Sequence, residues 1–124
     1  MSIEIEPARQ AAAGQRLASL GLGDRVDFVL ADAGQVLAQY DALELVLIDC
    51  EKEDYERFLA LLRLAPGALV VADNILSHGL VDYVRAVRSY AGVESVTLAI
   101  GQGLEVSRFV DGSPGSNPGA EGER

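Results

Sequence analysis

Short apolar runs alternate along this chain with stretches whose apolar residues recur every three to four positions. Residues 2–6, Ser-Ile-Glu-Ile-Glu, read as a buried strand that ends in carboxylates. A helix is predicted at once over Pro7 to Leu20. Pro7 suits a first turn, where a missing N–H costs nothing. Glu6 is placed to cap that turn and lies in its dipole field. Gly21 and Gly23 end the helix, and Gly14 inside it costs about 1 kcal/mol against alanine unless close packing requires it. A strand over Arg25 to Ala31 and a short helix over Gly34 to Gln39 follow. The next strand, Leu43 to Asp49, is apolar almost throughout, which predicts cover on both faces. A helix over Lys52 to Leu64 presents Tyr55, Phe58, Leu59 and Leu62 as its inner stripe. Pro66-Gly67 signals a turn before a strand over Ala68 to Asp73. A helix over Leu80 to Tyr90 groups Val81, Val84, Val87 and Arg88. Strands over Glu94 to Ile100 and Leu104 to Val110, joined through Gly101-Gln102-Gly103, predict an antiparallel hairpin.

Strand followed by helix, four times, then a hairpin, is the signature of an α/β fold. Its sheet is mostly parallel, with helices on both faces. From Asp111 to Arg124 the composition turns to Gly, Ser, Pro, Asn and Glu. Such a segment buries too little to order itself, so one domain over residues 1–110 and a disordered tail over 111–124 are expected. No internal repeat is visible.

Length and charge narrow the classes. A chain of 124 residues has room for one core. With 19 acidic and 10 basic side chains and a net charge of −9, it has no basic run to track a phosphate backbone. Nucleic acid and anionic membrane surfaces are therefore poor partners. The longest apolar stretch, Ala68 to Ala72, is far too short to span a bilayer, and no signal peptide is apparent. Cys50 is the single cysteine, so no internal disulfide and no cysteine zinc cluster can form. It reads as a small buried hydrophobe rather than a nucleophile. A reducing, cytoplasmic location is expected.

Chemistry in such sheets gathers beyond the carboxyl ends of the strands. Four predicted ends carry polar groups: Glu4 and Glu6, Asp32, Asp49, and Asp73-Asn74. Any one of them can be a helix cap, but caps need not converge on one crevice. Asp49, Asp73 and Asn74 are the sharpest set. Two carboxylates and an amide oxygen are hard donors that suit Mg²⁺ or another divalent cation. Asp49 and Asp73 end strands that should be neighbours, roughly 5 Å apart. Lys52, three residues after Asp49, could take a proton from a cation-bound hydroxyl if its pKa is lowered, or could be only a solvated helix start. Glu4 could accept hydrogen bonds from a ribose diol. Asp32-Ala33 could meet an adenine ring. His78, in a loop, could touch a substrate, although a lone loop histidine is usually surface.

Taken together these segments resemble the small class I S-adenosylmethionine-dependent O-methyltransferases of the catechol and caffeoyl-CoA type. Ser2 to Pro7 resembles the second-strand motif, with Glu4 at the ribose-binding acid. Gly21 to Ala33, GLGDRVDFVLADA, resembles the segment leading to the adenine contact, with Asp32 and Ala33 matching. Leu47 to Tyr55 resembles the motif with the first metal aspartate and the general-base lysine, which Asp49 and Lys52 match. Pro66 to Asn74 resembles the motif of the second metal aspartate and asparagine, matched by Asp73 and Asn74. Gly101 to Leu104 looks like the final hairpin. The likeness covers residues 2–109 and implies an incomplete Rossmann-like sheet, from a full order of 3-2-1-4-5-7-6. It further implies S-adenosylmethionine as cofactor, with Asp49 counted among both its binding residues and the catalytic pair with Lys52. Mg²⁺ or another divalent cation and a small-molecule hydroxyl acceptor complete the implied set.

Departures from the family pattern qualify this. The first strand and its glycine-rich loop have no counterpart before Ser2. Cys50 and Glu51 replace the usual Ala and Asp, and the loop after Asn74 is short. The expectation is a truncated, weak or inactive methyltransferase domain, with a homo-oligomer or another partner filling the gap left by the missing central strand. The alternative is a non-catalytic oligomerisation or interaction module in which the motif residues are relics. A dehydrogenase fragment ranks last, because Lys52 and the Asp-Asn pair have no role in hydride transfer.

Overall fold

The computed structural model describes residues 1–77 and 79–115. The chain divides into two compact units, Met1–Val36 and Leu37–Arg124.

In the first unit, strand β1 (Ser2–Glu4) leads through helix α1 (Pro7–Ser19) to strand β2 (Phe28–Leu30), and a single helical turn, α2 (Ala33–Val36), follows. β1 and β2 pair in parallel, with Glu4 opposite Leu30, so the carboxyl ends of both strands meet at one edge. Pro7 opens α1 as expected, but Glu6 makes no capping hydrogen bond. The strand over residues 2–6 is shorter than expected and half-buried at best, and Arg25 belongs to a 3-10 turn over Gly23–Arg25 instead of a strand. Gly14 has open space where a side chain would stand, so no close packing calls for it.

The second unit carries strands β3 (Leu43–Ile48), β4 (Arg63–Asp73), β5 (Val93–Leu98), β6 (Leu104–Phe109) and β7 (Ser113–Pro114), with helices α3 (Tyr55–Leu61) and α4 (Val81–Arg88). The sheet order is β3-β4-β6-β5, with β7 on the early part of β4. β3 and β4 are parallel, while β6 is antiparallel to both β4 and β5. Three of these four strands therefore run one way and β6 runs back between two of them. The predicted β5–β6 hairpin is present.

One face of this sheet is buried under the two helices. Val70, Ala72, Phe109, Leu59, Tyr83 and Val87 are all within 1% of full burial. Tyr55 and Tyr83 meet edge to face, with ring centroids 5.7 Å apart. Glu105 and Ser107 lie on the same buried face. Glu105 accepts from Arg88 Nε at 2.9 Å and from Ser95 Oγ at 2.5 Å, and Thr97 also donates to it.

Several sequence expectations change here. β4 does not start after a Pro66-Gly67 turn; it runs through both residues, and its first part pairs with Leu43 and with β7. Gly67, at φ 83°, donates its N–H to the Val110 carbonyl 3.1 Å away. Helix α3 stops at Leu61, so Leu64 is strand. Val81 points outward at 61% exposure, and Tyr83 takes its place on the inner face of α4. β3 is covered on one face only, since Leu45 and Leu47 are 70% and 67% exposed. Of the tail expected from Asp111 to Arg124, Ser113 and Pro114 form β7, and residues 116–124 lie outside the described residues.

Candidate functional site

The register of β3 and β4 builds the site. Leu45 faces Leu69, Leu47 faces Val71, and Ile48 faces Ala72. Side chains alternate along a strand, so Asp49 continues the row of Leu45 and Leu47, and Asp73 the row of Leu69 and Val71. The two carboxylates therefore leave neighbouring strands on the same side of the sheet. Asn74 then breaks the strand with a left-handed backbone, φ 64°. That turn lays its side chain back on β3, where Nδ2 donates to Asp49 Oδ1 at 3.1 Å. The Asn74 N–H donates to Asp73 Oδ1 at 2.7 Å. Asp49, Asp73 and Asn74 are thus one hydrogen-bonded cluster.

Neighbouring elements hold this elbow from both sides. The Tyr55 hydroxyl, at the start of α3, donates to the Asp73 carbonyl at 2.8 Å. The N–H groups of Ile75 and Leu76 donate to the carbonyls of Gly103 and Gln102, at 3.1 and 2.9 Å, in the hairpin turn between β5 and β6. Tyr55 reads in the sequence as one more apolar stripe residue, and its role at the elbow went unseen. The available signal was its hydroxyl, because a buried tyrosine normally finds a partner.

Lys52 stands exposed in the 3-10 turn Lys52–Asp54 that follows Asp49. It lines a hollow of about 310 Å³ with Glu53, Glu56, Gly79, Leu80, Asp82 and Tyr83. The thiol of Cys50 is pushed up to about 12, first by burial and then by the carboxylates of Asp54, Asp49 and Glu51. It stays protonated near neutral pH, as expected of a residue that is not a nucleophile. The same negative field that holds its proton favours a cation beside Asp49.

The donor set fits a hard divalent ion: two carboxylates and one amide, with the remaining positions open to water or substrate oxygens. Among the described residues no three His, Cys, Asp or Glu side chains converge as a metal-binding group. In the first unit, Glu4 Oε2 accepts from the N–H groups of Ile5 and Glu6 at 2.9 and 3.3 Å, while Oε1 lies 3.6 Å from Arg9 Nη1. Asp32 Oδ1 accepts from the Gly34 N–H at 2.9 Å and so shapes the turn in which Ala33 starts α2. Glu4 and Asp32 both lie at the carboxyl edge of the β1–β2 pair. His78 lies outside the described residues. No helix among the described residues is long and apolar enough to cross a membrane.

Comparison with known proteins identifies the family of the chain. The family described as O-methyltransferase matches residues 1–108. The catechol O-methyltransferase of Sus scrofa is 30% identical over 122 residues, covering 90% of this chain and 64% of that protein. The catechol O-methyltransferase of Mus musculus is 28% identical over 135 residues, covering 95% of this chain and 50% of that protein. The chain therefore spans between half and two thirds of the length of these relatives. Among solved structures, the SAH-bound Podospora anserina methyltransferase PaMTH1 superposes with a TM-score of 0.78 at 17% identity, covering 88% of this chain and 59% of that one. Cofactor-bound Rv0187 from MTB does so with a TM-score of 0.71 at 22% identity, covering 88% and 60%. At these identities the structures establish a shared Rossmann-like methyltransferase fold.

Proposed function

The chain belongs to the O-methyltransferase family, and on that premise we propose that it transfers a methyl group from S-adenosylmethionine to a hydroxyl of a small molecule. The observation that carries this reading is the cluster at the ends of β3 and β4, where Asn74 turns back to bind Asp49 beside Asp73. Asp49, Asp73 and the Asn74 amide oxygen would hold Mg²⁺ or another divalent cation. Such an ion, when bound, orients and acidifies an acceptor hydroxyl. Lys52, three residues after Asp49, is the residue proposed to take the hydroxyl proton. Glu4 supplies a carboxylate for the ribose of the cofactor, and Asp32 with Ala33 a rim for its adenine. Calorimetric titration with S-adenosylmethionine and with Mg²⁺ tests the proposal. Saturable heat for the cofactor is expected, strengthened by the cation; silence toward both would defeat it.

A second reading has one observation in its favour. Leu45, Leu47 and Val96 stand half or more exposed on the sheet of the second unit. A contiguous apolar face of this kind marks an interaction surface. On that reading the chain is an oligomerisation or interaction module, and the site residues are relics. A monomer that binds cofactor excludes it; larger species without cofactor binding favour it.

A further inference from the structure

We infer that Gly103 is a positioning residue for the proposed cation site: it lets the hairpin turn close on the end of β4 one residue out of register, and that slip turns the Asn74 side chain onto Asp49. The inference rests on the reading of Asp49, Asp73 and Asn74 as that site.

The pairing of β4 with β6 shows the slip. Asp73 stands opposite Leu104, so an unbroken ladder would set Asn74 opposite Gly103. Instead the Ile75 N–H donates to the Gly103 carbonyl at 3.1 Å, and the Leu76 N–H to the Gln102 carbonyl at 2.9 Å. Asn74 is the surplus residue between the two registers, as in a β-bulge. Its left-handed backbone, φ 64°, takes up the extra length. That conformation is costly for a residue with a side chain and persists only where surrounding contacts over-determine it. The slip also decides where the side chain goes. Side chains alternate between the faces of an unbroken strand, so Asn74 would follow Ala72 onto the buried face, away from Asp73. A bulge re-aims the side chain it carries. Here Asn74 Nδ2 reaches Asp49 Oδ1 at 3.1 Å.

Only a residue without a side chain fits at the closing point. Gly103 holds φ 89°, a region open to glycine at no steric cost. A Cβ there would stand 2.5 Å from Leu76 Cγ and 3.0 Å from the Leu76 nitrogen. That nitrogen belongs to the backbone making the slipped bonds, so no rotation of the Leu76 side chain relieves both contacts. Gly103→Ala therefore pushes the turn off Ile75 and Leu76 and loosens the bulge that aims Asn74. Gly67, earlier in β4, is the contrast. Its backbone is also left-handed, at φ 83°, but open space stands where its side chain would be.

The test measures Mn²⁺ affinity of the full chain by electron paramagnetic resonance, for the unmodified protein, Gly103→Ala and Gly67→Ala, with urea midpoints alongside. Both substitutions put a side chain on a left-handed backbone and should lower the midpoint. Only Gly103→Ala reaches the elbow. Loss of a supporting partner typically weakens a metal roughly 10- to 100-fold, and a loss of that order is expected for Gly103→Ala, with affinity unchanged in Gly67→Ala. An equal loss in both variants would show a general structural effect and overturn the inference. Unchanged affinity in Gly103→Ala would overturn it too, while leaving the cation site standing. Absence of Mn²⁺ binding by the unmodified chain would remove the site and the inference together. Should Gly103→Ala fail to fold, amide exchange in the unmodified chain decides, because coupling between a bound ion and the geometry it needs is reciprocal. Saturating Mg²⁺ should slow exchange at Ile75 and Leu76 more than at Gly67, and equal or absent slowing rejects the inference.

Discussion

At the ends of β3 and β4, single residues carry chemistry and geometry in separable ways. In the proposed reaction Lys52 takes the acceptor proton, and none of the hydrogen bonds that hold the elbow comes from it, so its removal should spare the proposed cation site while slowing proton transfer. For Lys52→Met, divalent-cation affinity is expected to stay unchanged while the methyl-transfer rate falls about 10²- to 10⁴-fold. Single-turnover assays with a catechol acceptor, alongside Mn²⁺ titration, check both halves. Gly103 is the opposite case, a residue with no chemistry and a strict shape. A side chain there would place its Cβ 2.5 Å from Leu76 Cγ and 3.0 Å from the Leu76 nitrogen, at a backbone φ of 89°. Gly103→Ala must push Leu76 away, and overpacking of this kind costs about 1–3 kcal/mol. Because Gly103 and Gln102 accept the hydrogen bonds of Ile75 and Leu76, the displacement reaches the residues next to Asn74. A lower urea midpoint, with faster amide exchange at Ile75 and Leu76, is the expected result.

The elements under the site depend on a buried polar network that the hydrophobic pattern alone would not suggest. Glu105 is 0% exposed in β6. Burial works to raise its pKa, but hydrogen bonds from Arg88, Ser95 and Thr97 outweigh that and hold it below the usual value of 4.5. A carboxyl depressed by folding stabilises the folded state above its unfolded pKa, and that contribution is lost as pH falls through the folded one. Chemical-denaturation midpoints should therefore hold steady down to about pH 5 and decline below 4.5. Arg88→Met leaves Glu105 with its hydroxyl partners only, so it should cost about 1.5–3 kcal/mol at neutral pH and flatten that acid limb. Ser95, Thr97, Glu105 and Ser107 show why part of the fold was legible and part was not. Their strands were readable from runs and glycine punctuation, which are local signals. That they pack inward and satisfy one another depends on pairing between strands. The same holds at the site. Asp49, Asp73 and Asn74 were legible because each ends an apolar run, whereas Tyr55 was hidden in a helical stripe whose partner lies 18 residues away. The run through Pro66-Gly67 was misread because those residues usually signal a turn, whereas pairing of Leu64 with Leu43 and β7 on one side, and of Gly67 with the Val110 carbonyl on the other, keeps that stretch in the sheet.

For the molecule as a whole, the decisive feature is a sheet with one dry face and one wet face. In the second unit Leu45, Leu47 and Val96 stand half or more exposed, and Leu69 and Leu98 are also open, at 38% and 37%. The pairs Leu45–Leu69, Leu47–Val71, Val71–Val106 and Val96–Val106 join these positions into one continuous surface. An apolar run reads the same in sequence whether its covering layer lies in the same chain or elsewhere, which is why cover on both faces was expected and is not found. Among the described residues β3 is also the outermost strand of its sheet, and an edge strand presents backbone groups beside the exposed leucines. Apolar surface contributes roughly 25 cal/mol for each Å² removed from solvent, so covering this face with a second copy would release free energy. The net charge of −9 opposes close approach of two copies, and salt screens that repulsion. Self-association should therefore rise with protein concentration and with ionic strength together. Leu47→Lys places a charge at the middle of the face and is expected to shift the sedimentation profile toward the monomer. Because Leu47 lies outside the buried core, the substitution should leave the thermal midpoint nearly unchanged. A monomeric profile for the unmodified chain at high salt and high concentration would show that this face is content in water, and would remove the observation favouring an interaction module over an enzyme.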